Sequence, residues 1–134
     1  MAVHENVQRL KLHGNVKVCE KGELGARHWD AVWVDAPCTG SGILRRHPDV
    51  RWLKQSEQLP KLNALQRELL LEAWGKVATG GLLAYSVCSV LAEEGSELLK
   101  GSALPGSAVV EELLLSPLEA PFGDGFYLAL LRKA

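Results

Sequence analysis

Neither charge is in excess: fifteen Lys plus Arg stand against sixteen Asp plus Glu over 134 residues, a net charge of -1. No global basic field marks the chain for nucleic acid, so a binding surface of that kind must be local. Long apolar runs are missing as well, and none approaches the ~20 residues of a membrane span. The start, Met1-Ala2-Val3-His4-Glu5-Asn6, lacks the basic and apolar regions of a signal peptide. A cytoplasmic protein without a membrane partner is expected. Cysteines are few, and Cys19, Cys38 and Cys88 form an odd set without CxxC spacing. A disulfide framework and a zinc ribbon are thereby excluded. His4, His13 and His28 stand at no metal-ligand spacing, and no metal site is expected.

Hydrophobic residues make up 47% of the chain and charged residues 23%, the usage of a folding domain of ordinary type. The length suits one core. Residues Ala2 to Leu12 are helix-compatible, with His13-Gly14-Asn15 as a stop, and Val16-Lys17-Val18-Cys19 alternates like a half-buried strand. Trp29 to Val34 is a short apolar run ending at Asp35, which reads as a buried parallel strand with an acid at its C-terminal end. After Pro60, the stripe Leu62, Leu65, Leu69, Leu70, Ala73, Trp74 and Val77 predicts a helix stopped by Gly80-Gly81. Leu82 to Val87 then reads as a strand. The strand-helix-strand order from Val32 to Val87 is a βαβ unit with parallel strands, so Cys38 and Cys88 fall on one rim of the sheet, where open α/β folds bind ligands. A short helix from about Ala92 to Lys100 follows, and Val109 to Leu115 and Phe126 to Leu131, joined through a turn at Gly123-Asp124-Gly125, read as an antiparallel pair.

Buried structure is the ordinary fate of a cysteine, and Cys19 stays with it. Cys38 differs, because Asp35-Ala36-Pro37-Cys38-Thr39-Gly40-Ser41-Gly42 sets it between a strand-end acid, a rigid proline and a permissive glycine loop. The segment Arg45 to Lys54 carries Arg45, Arg46, Arg51 and Lys54 against Asp49, with His47 and Trp52 interleaved. Phosphate contact with base stacking would suit RNA, and a solvated loop anchored by Trp52 is the alternative.

The two cysteine motifs, Asp35 to Gly42 and Tyr85-Ser86-Val87-Cys88-Ser89, with Arg45-Arg46-His47-Pro48-Asp49 and Gly123-Asp124-Gly125-Phe126-Tyr127, resemble the Sun/NOL1/NOP2 RNA cytosine-5 methyltransferases. The resemblance is nearest to their bacterial 16S rRNA branch and runs from about Val7 to the C-terminus. It implies a Rossmann-like S-adenosylmethionine-dependent methyltransferase fold with a mostly parallel sheet and a C-terminal antiparallel hairpin. It implies that Cys88 adds to C6 of a cytosine, that Cys38 resolves the covalent adduct, and that Asp35 bonds the N3 and N4 edge of the base and borders the cofactor. Pro37 would offer its carbonyl to the base amino group, with Arg45, Arg46 and His47 on the RNA substrate, which is RNA rather than DNA and by resemblance rRNA.

The sequence also departs from that pattern. The first strand, the glycine-rich cofactor turn and the second strand, with its ribose-binding acid, have no counterpart, so residues 1–134 read as the C-terminal portion of a catalytic domain. Glu20 is left as a candidate cofactor acid, the S-adenosylmethionine site is expected to be incomplete, and Val87 stands where the family more often has Thr. The chain alone is expected to be inactive, and the alternative is a non-catalytic RNA- or protein-interaction fragment. The Val32 strand would lose its neighbour on one side, so either the Val16 strand pairs with it or a second copy of the chain does, giving a homodimer.

Overall fold

A computed structural model describes residues 2–49, 56–118 and 123–134. Four strands, β1 (Trp29–Asp35), β2 (Val77–Val87), β3 (Ser107–Leu115) and β4 (Phe126–Lys133), form one sheet in the order β1-β2-β4-β3. Three helices accompany them, α1 (Ala2–Arg9), α2 (Leu59–Lys76) and α3 (Ser96–Lys100). The β1–α2–β2 unit is parallel as expected, with Val32 opposite Leu83 and Asp35 opposite Ser86. The other two pairings are antiparallel, so the sheet is mixed, with a single parallel pair among the described strands.

The core follows from strand alternation. Leu83, Tyr85 and Val87 of β2 and Tyr127, Ala129 and Leu131 of β4 point to one face, where α2 and α3 cover them with Leu70, Trp74 and Leu98. The opposite face, carrying Trp33, Ala84, Asp35 and Ser86, is partly open, and Trp33 is 71% exposed. Leu83 is fully buried. Leu83→Ala should therefore lower unfolding free energy by about 2–5 kcal/mol, read as a shift in the urea midpoint at constant slope.

The buried ridge of α2 is not the one its leucines suggest. Gln66, Leu70 and Trp74, four residues apart, are its buried positions, while Leu65 is exposed. A polar side chain holds a core position because two acceptors beneath it need a donor. The helix also ends earlier than the two glycines imply. Val77 already belongs to β2, and the Lys133 ammonium donates to the carbonyls of Trp74 and Val77 at 2.9 and 3.0 Å, closing the helix end. Gly80 and Gly81 lie in a bulge where the β1–β2 register shifts between Trp29 and Ala31. Gly80 has φ +79, which only glycine adopts cheaply, and a Cβ at Gly81 would come within 2.9 Å of the Asp30 carbonyl oxygen.

The strand expected at Val16–Cys19 does not form. No ladder among the described residues reaches it, and the Val16 N–H turns back to the Leu12 carbonyl at 2.8 Å. The Val16 segment therefore does not cover β1, which forms one edge of the sheet. The hairpin is antiparallel as expected, with β3 running to Leu115 and β4 starting at Phe126. The roles suggested for Arg51, Trp52 and Lys54 fall outside the described residues.

Candidate active site at the C-terminal rim

β1 ends at Asp35 and β2 at Val87, side by side, so the loops leaving both strands emerge together. This brings Cys38 and Cys88, fifty residues apart in sequence, to an Sγ–Sγ distance of 3.3 Å. Cys38 is buried and Cys88 is half-buried at the surface of the rim. Burial, and then the contact with Cys88, push the Cys38 thiol from its ordinary 9.0 up to about 12. At neutral pH Cys38 thus keeps its proton and can donate it in a hydrogen bond to the Cys88 sulfur. A nucleophilic thiolate at Cys88 would be helped by such a donor.

Asp35 is exposed on the same rim, and the buried Ser86 hydroxyl donates to its Oδ1 at 3.2 Å while accepting from the Trp33 indole at 2.8 Å. Ser86 thus orients the acid, a part its sequence position did not announce. The loops are stitched by further bonds. The hydroxyls of Ser41 and Ser89 meet at 2.8 Å, Val90 N–H donates to Ser41 Oγ at 3.1 Å, and Gly42 N–H donates to the Cys88 carbonyl at 3.1 Å.

The turn before β4 closes on this loop, with Gly125 N–H donating to the Gly42 carbonyl at 2.7 Å. The approach leaves no room for side chains, since a Cβ at Gly42 would sit 2.0 Å from the Gly125 carbonyl oxygen. Backbone cannot yield as a flexible side chain can. Gly42→Ala should cost about 3 kcal/mol or more, at or above the usual overpacking range, and should shift the thermal midpoint down by several degrees. An unchanged midpoint would show that the two turns are not in contact.

The other expected site residues are placed less simply. Pro37 is exposed beside Cys38, but its carbonyl already accepts from the Gln66 amide at 2.9 Å, leaving one lone pair for a base. Arg45 and Arg46 both pair with Asp124, Arg45 at 3.9 Å and Arg46 in closer contact. They tie the loop to the hairpin turn and are not an unbalanced basic patch. His47 is exposed at the end of that loop. Glu20 heads a 3-10 turn over Lys21–Leu24, and the Glu23 carboxylate accepts its N–H at 3.2 Å, which is a capping role.

A cavity of about 500 Å³ runs along β1 and α2, lined mainly by apolar side chains that include Leu24, Trp29, Val32, Val34 and Leu69, with Asp35 at one end. Its lining holds no glycine cradle, and its second acid, Glu72, lies on α2 rather than at the end of a neighbouring strand. The one glycine-rich loop, Gly40-Ser41-Gly42, is taken up by the contacts with Cys88 and Gly125. The described residues therefore do not complete a site for S-adenosylmethionine.

A βαβ unit with an acid and two facing cysteines at its strand ends, closed by an antiparallel hairpin, is the rim of a Rossmann-like S-adenosylmethionine-dependent methyltransferase. The chain belongs to the family described as 16S rRNA methyltransferase RsmB/F, whose pattern matches residues 1–119. It is 36% identical to ribosomal RNA small subunit methyltransferase B of Yersinia enterocolitica over 98% of this chain and 33% of that protein. With its Pseudomonas putida counterpart it shares 34% identity, over 98% of this chain and 34% of that protein. The chain thus spans about a third of the length of these relatives. Among solved structures it superposes on NSun6 from Pyrococcus horikoshii with SFG at a TM-score of 0.84 and 25% identity, covering 97% of this chain and 37% of that one. A methyltransferase homolog protein from the same organism matches in fold, with a TM-score of 0.76, 23% identity and coverage of 98% and 48%. Among the described residues no helix is long and apolar enough to cross a membrane.

Proposed function

We propose that this chain supplies the target-base half of an enzyme that methylates C5 of a cytosine in RNA, with small-subunit rRNA, the RNA in the names of its relatives, as the target. The observation that carries the reading is the pairing of Cys38 and Cys88 at 3.3 Å beside Asp35. Cytosine C5 is a weak nucleophile, and a thiolate adding to C6 turns it into an electron-rich carbon. Cys88, the more accessible of the two thiols, forms the C6–S bond. Asp35, oriented by Ser86, meets the N3 and N4 edge of a base turned out of its stack, where a donor stabilises the electrons pushed onto the ring. S-adenosylmethionine supplies an electrophilic methyl group when bound. The C5 proton is then lost to water, its bonding electrons form the C5–C6 double bond, and the C6–S bond breaks with its electrons returning to the Cys88 sulfur. The Cys38 thiol is placed to donate a hydrogen bond to that leaving thiolate.

The reading is tested by joining this chain with the remaining part of a curated relative and supplying S-adenosylmethionine and a small-subunit rRNA fragment tritiated at cytosine C5. Methylation at C5 releases tritium to water in step with methyl incorporation. Incorporation without release would place the methyl elsewhere and reject the C5 assignment. A non-catalytic interaction fragment would show neither signal in any reconstitution while still binding RNA.

Self-association through the open edge of β1 belongs to the same proposal, because an unpaired apolar strand edge is a template for another strand. Sedimentation at micromolar concentration should show dimer, and a stable monomer removes that part.

A further inference from the structure

Beneath the two cysteine loops lies a buried carboxylate. Glu94, in the 3-10 turn Ala92–Glu94, has no exposed surface. Its Oε1 accepts from the Thr39 N–H at 2.8 Å and from the Gln66 amide at 3.0 Å, and its Oε2 accepts from the Thr39 hydroxyl at 2.5 Å. A carboxylate so deeply buried is tolerated only when its lone pairs are filled. The filling here comes from neutral donors, two of them on the residue next to Cys38. Gln66, also without exposed surface, uses the same amide nitrogen to bond the Pro37 carbonyl at 2.9 Å, while its own Oε1 has no hydrogen-bond partner among the described residues. The Gln66 side chain is held there for its N–H groups. Residues on both sides of Cys38 are thus gripped from below.

We propose that Glu94 is a positioning residue of this site: through Thr39 and Gln66 it fixes the Pro37–Thr39 segment so that the Cys38 sulfur faces that of Cys88. The inference rests on the function proposed above, where those two thiols share one base. Glu94 also places its negative charge near Cys38, adding a smaller push in the direction already set by burial and by Cys88, while the Gly40 backbone N–H acts the other way. Another titratable neighbour is Tyr85 of β2, whose hydroxyl donates to the Glu94 backbone carbonyl at 2.9 Å. Charge and geometry therefore act together to present Cys38 as a protonated thiol. Glu94→Gln removes the charge and sets an amide NH2 against one of three donors, so the grip cannot be rebuilt as it stands.

The test is alkylation of this chain by iodoacetamide at pH 8, with the rates at Cys38 and Cys19 read separately by peptide mass spectrometry. In Glu94→Gln the Cys38 rate should rise at least about tenfold with Cys19 unchanged, and it should not depend on urea below the unfolding transition, because the loop opens within the folded molecule. Leu83→Ala serves as a control whose Cys38 rate climbs with urea, since reaction there passes through global unfolding. A Glu94→Gln rate equal to wild type, or one that climbs with urea as the control does, overturns the proposal. If Glu94→Gln fails to fold, Thr39→Val removes one donor and keeps the charge; a rise of about threefold supports the grip and no change overturns it. These readouts need neither RNA nor a methyl donor, so they stand or fall apart from the proposed reaction. In the reconstituted enzyme, Glu94→Gln should lower kcat and leave KM for RNA unchanged, and a change in KM alone contradicts a positioning role.

Discussion

Cys88→Ser in the reconstituted enzyme should abolish methyl transfer, a loss on the order of 10³-fold or more, because the hydroxyl that replaces the thiol is a far weaker nucleophile at neutral pH. Cys38→Ser should act at a different step. It leaves the C6–S bond to form and slows its breakage, so RNA should accumulate covalently bound to the protein. Denaturing electrophoresis after incubation with RNA and methyl donor separates the two: a shifted band for Cys38→Ser and none for Cys88→Ser. The proposed assignment rests on Cys88 being the more accessible sulfur, with Cys38, buried and protonated, behind it at 3.3 Å. A shifted band with Cys88→Ser and none with Cys38→Ser would exchange the two roles.

The second large effect is a loss of stability in alkali. The folded Cys38 thiol titrates at about 12 against an ordinary 9.0, so between these values the folded chain retains a proton that the unfolded chain has released. Stability is then whole below about pH 9 and falls as pH rises, by about 1 kcal/mol per pH unit from this group. Tyr85 and Tyr127 add to the slope above their ordinary 10.0, since burial raises both, and Tyr127 also donates to Glu112 at 2.8 Å. Ionising either phenol would leave a buried anion facing an oxygen acceptor. Urea midpoints taken from pH 8 to pH 11 should therefore drop, more steeply above pH 10. Cys38→Ala should flatten the part between pH 9 and 10, and a wild-type midpoint constant to pH 11 would contradict the burial of these groups.

Elements whose pattern is local were legible in the sequence. The apolar run ending at Asp35, the helix beside Pro60 and the strand before Cys88 all form, because burial on a sheet or a helix face imposes its own spacing, although the helix gives way to β2 already at Val77. From them the common rim of Asp35, Cys38 and Cys88 followed, since a parallel βαβ unit leaves both strand ends on one side. Local pattern misled where a partner was needed. Val16–Cys19 alternates as a strand does, but no ladder receives it, and the glycines at 80 and 81 that read as a helix stop serve a bulge in β2.

The sequence by itself determined which groups share the rim, two cysteines and a strand-end acid, because a parallel unit leaves both strand ends on one side. What it did not determine is how those groups are held. Gln66 hid in a leucine-rich stripe, Glu94 lay within the short helix expected from about Ala92 to Lys100, and Arg45 and Arg46 read as an RNA patch. Only the tertiary structure puts Gln66 and Glu94 under the Cys38 loop and Asp124 across from the arginines. The reason is that a buried polar group is specified by its hydrogen-bond partners, and here those partners lie 28 to 55 residues away.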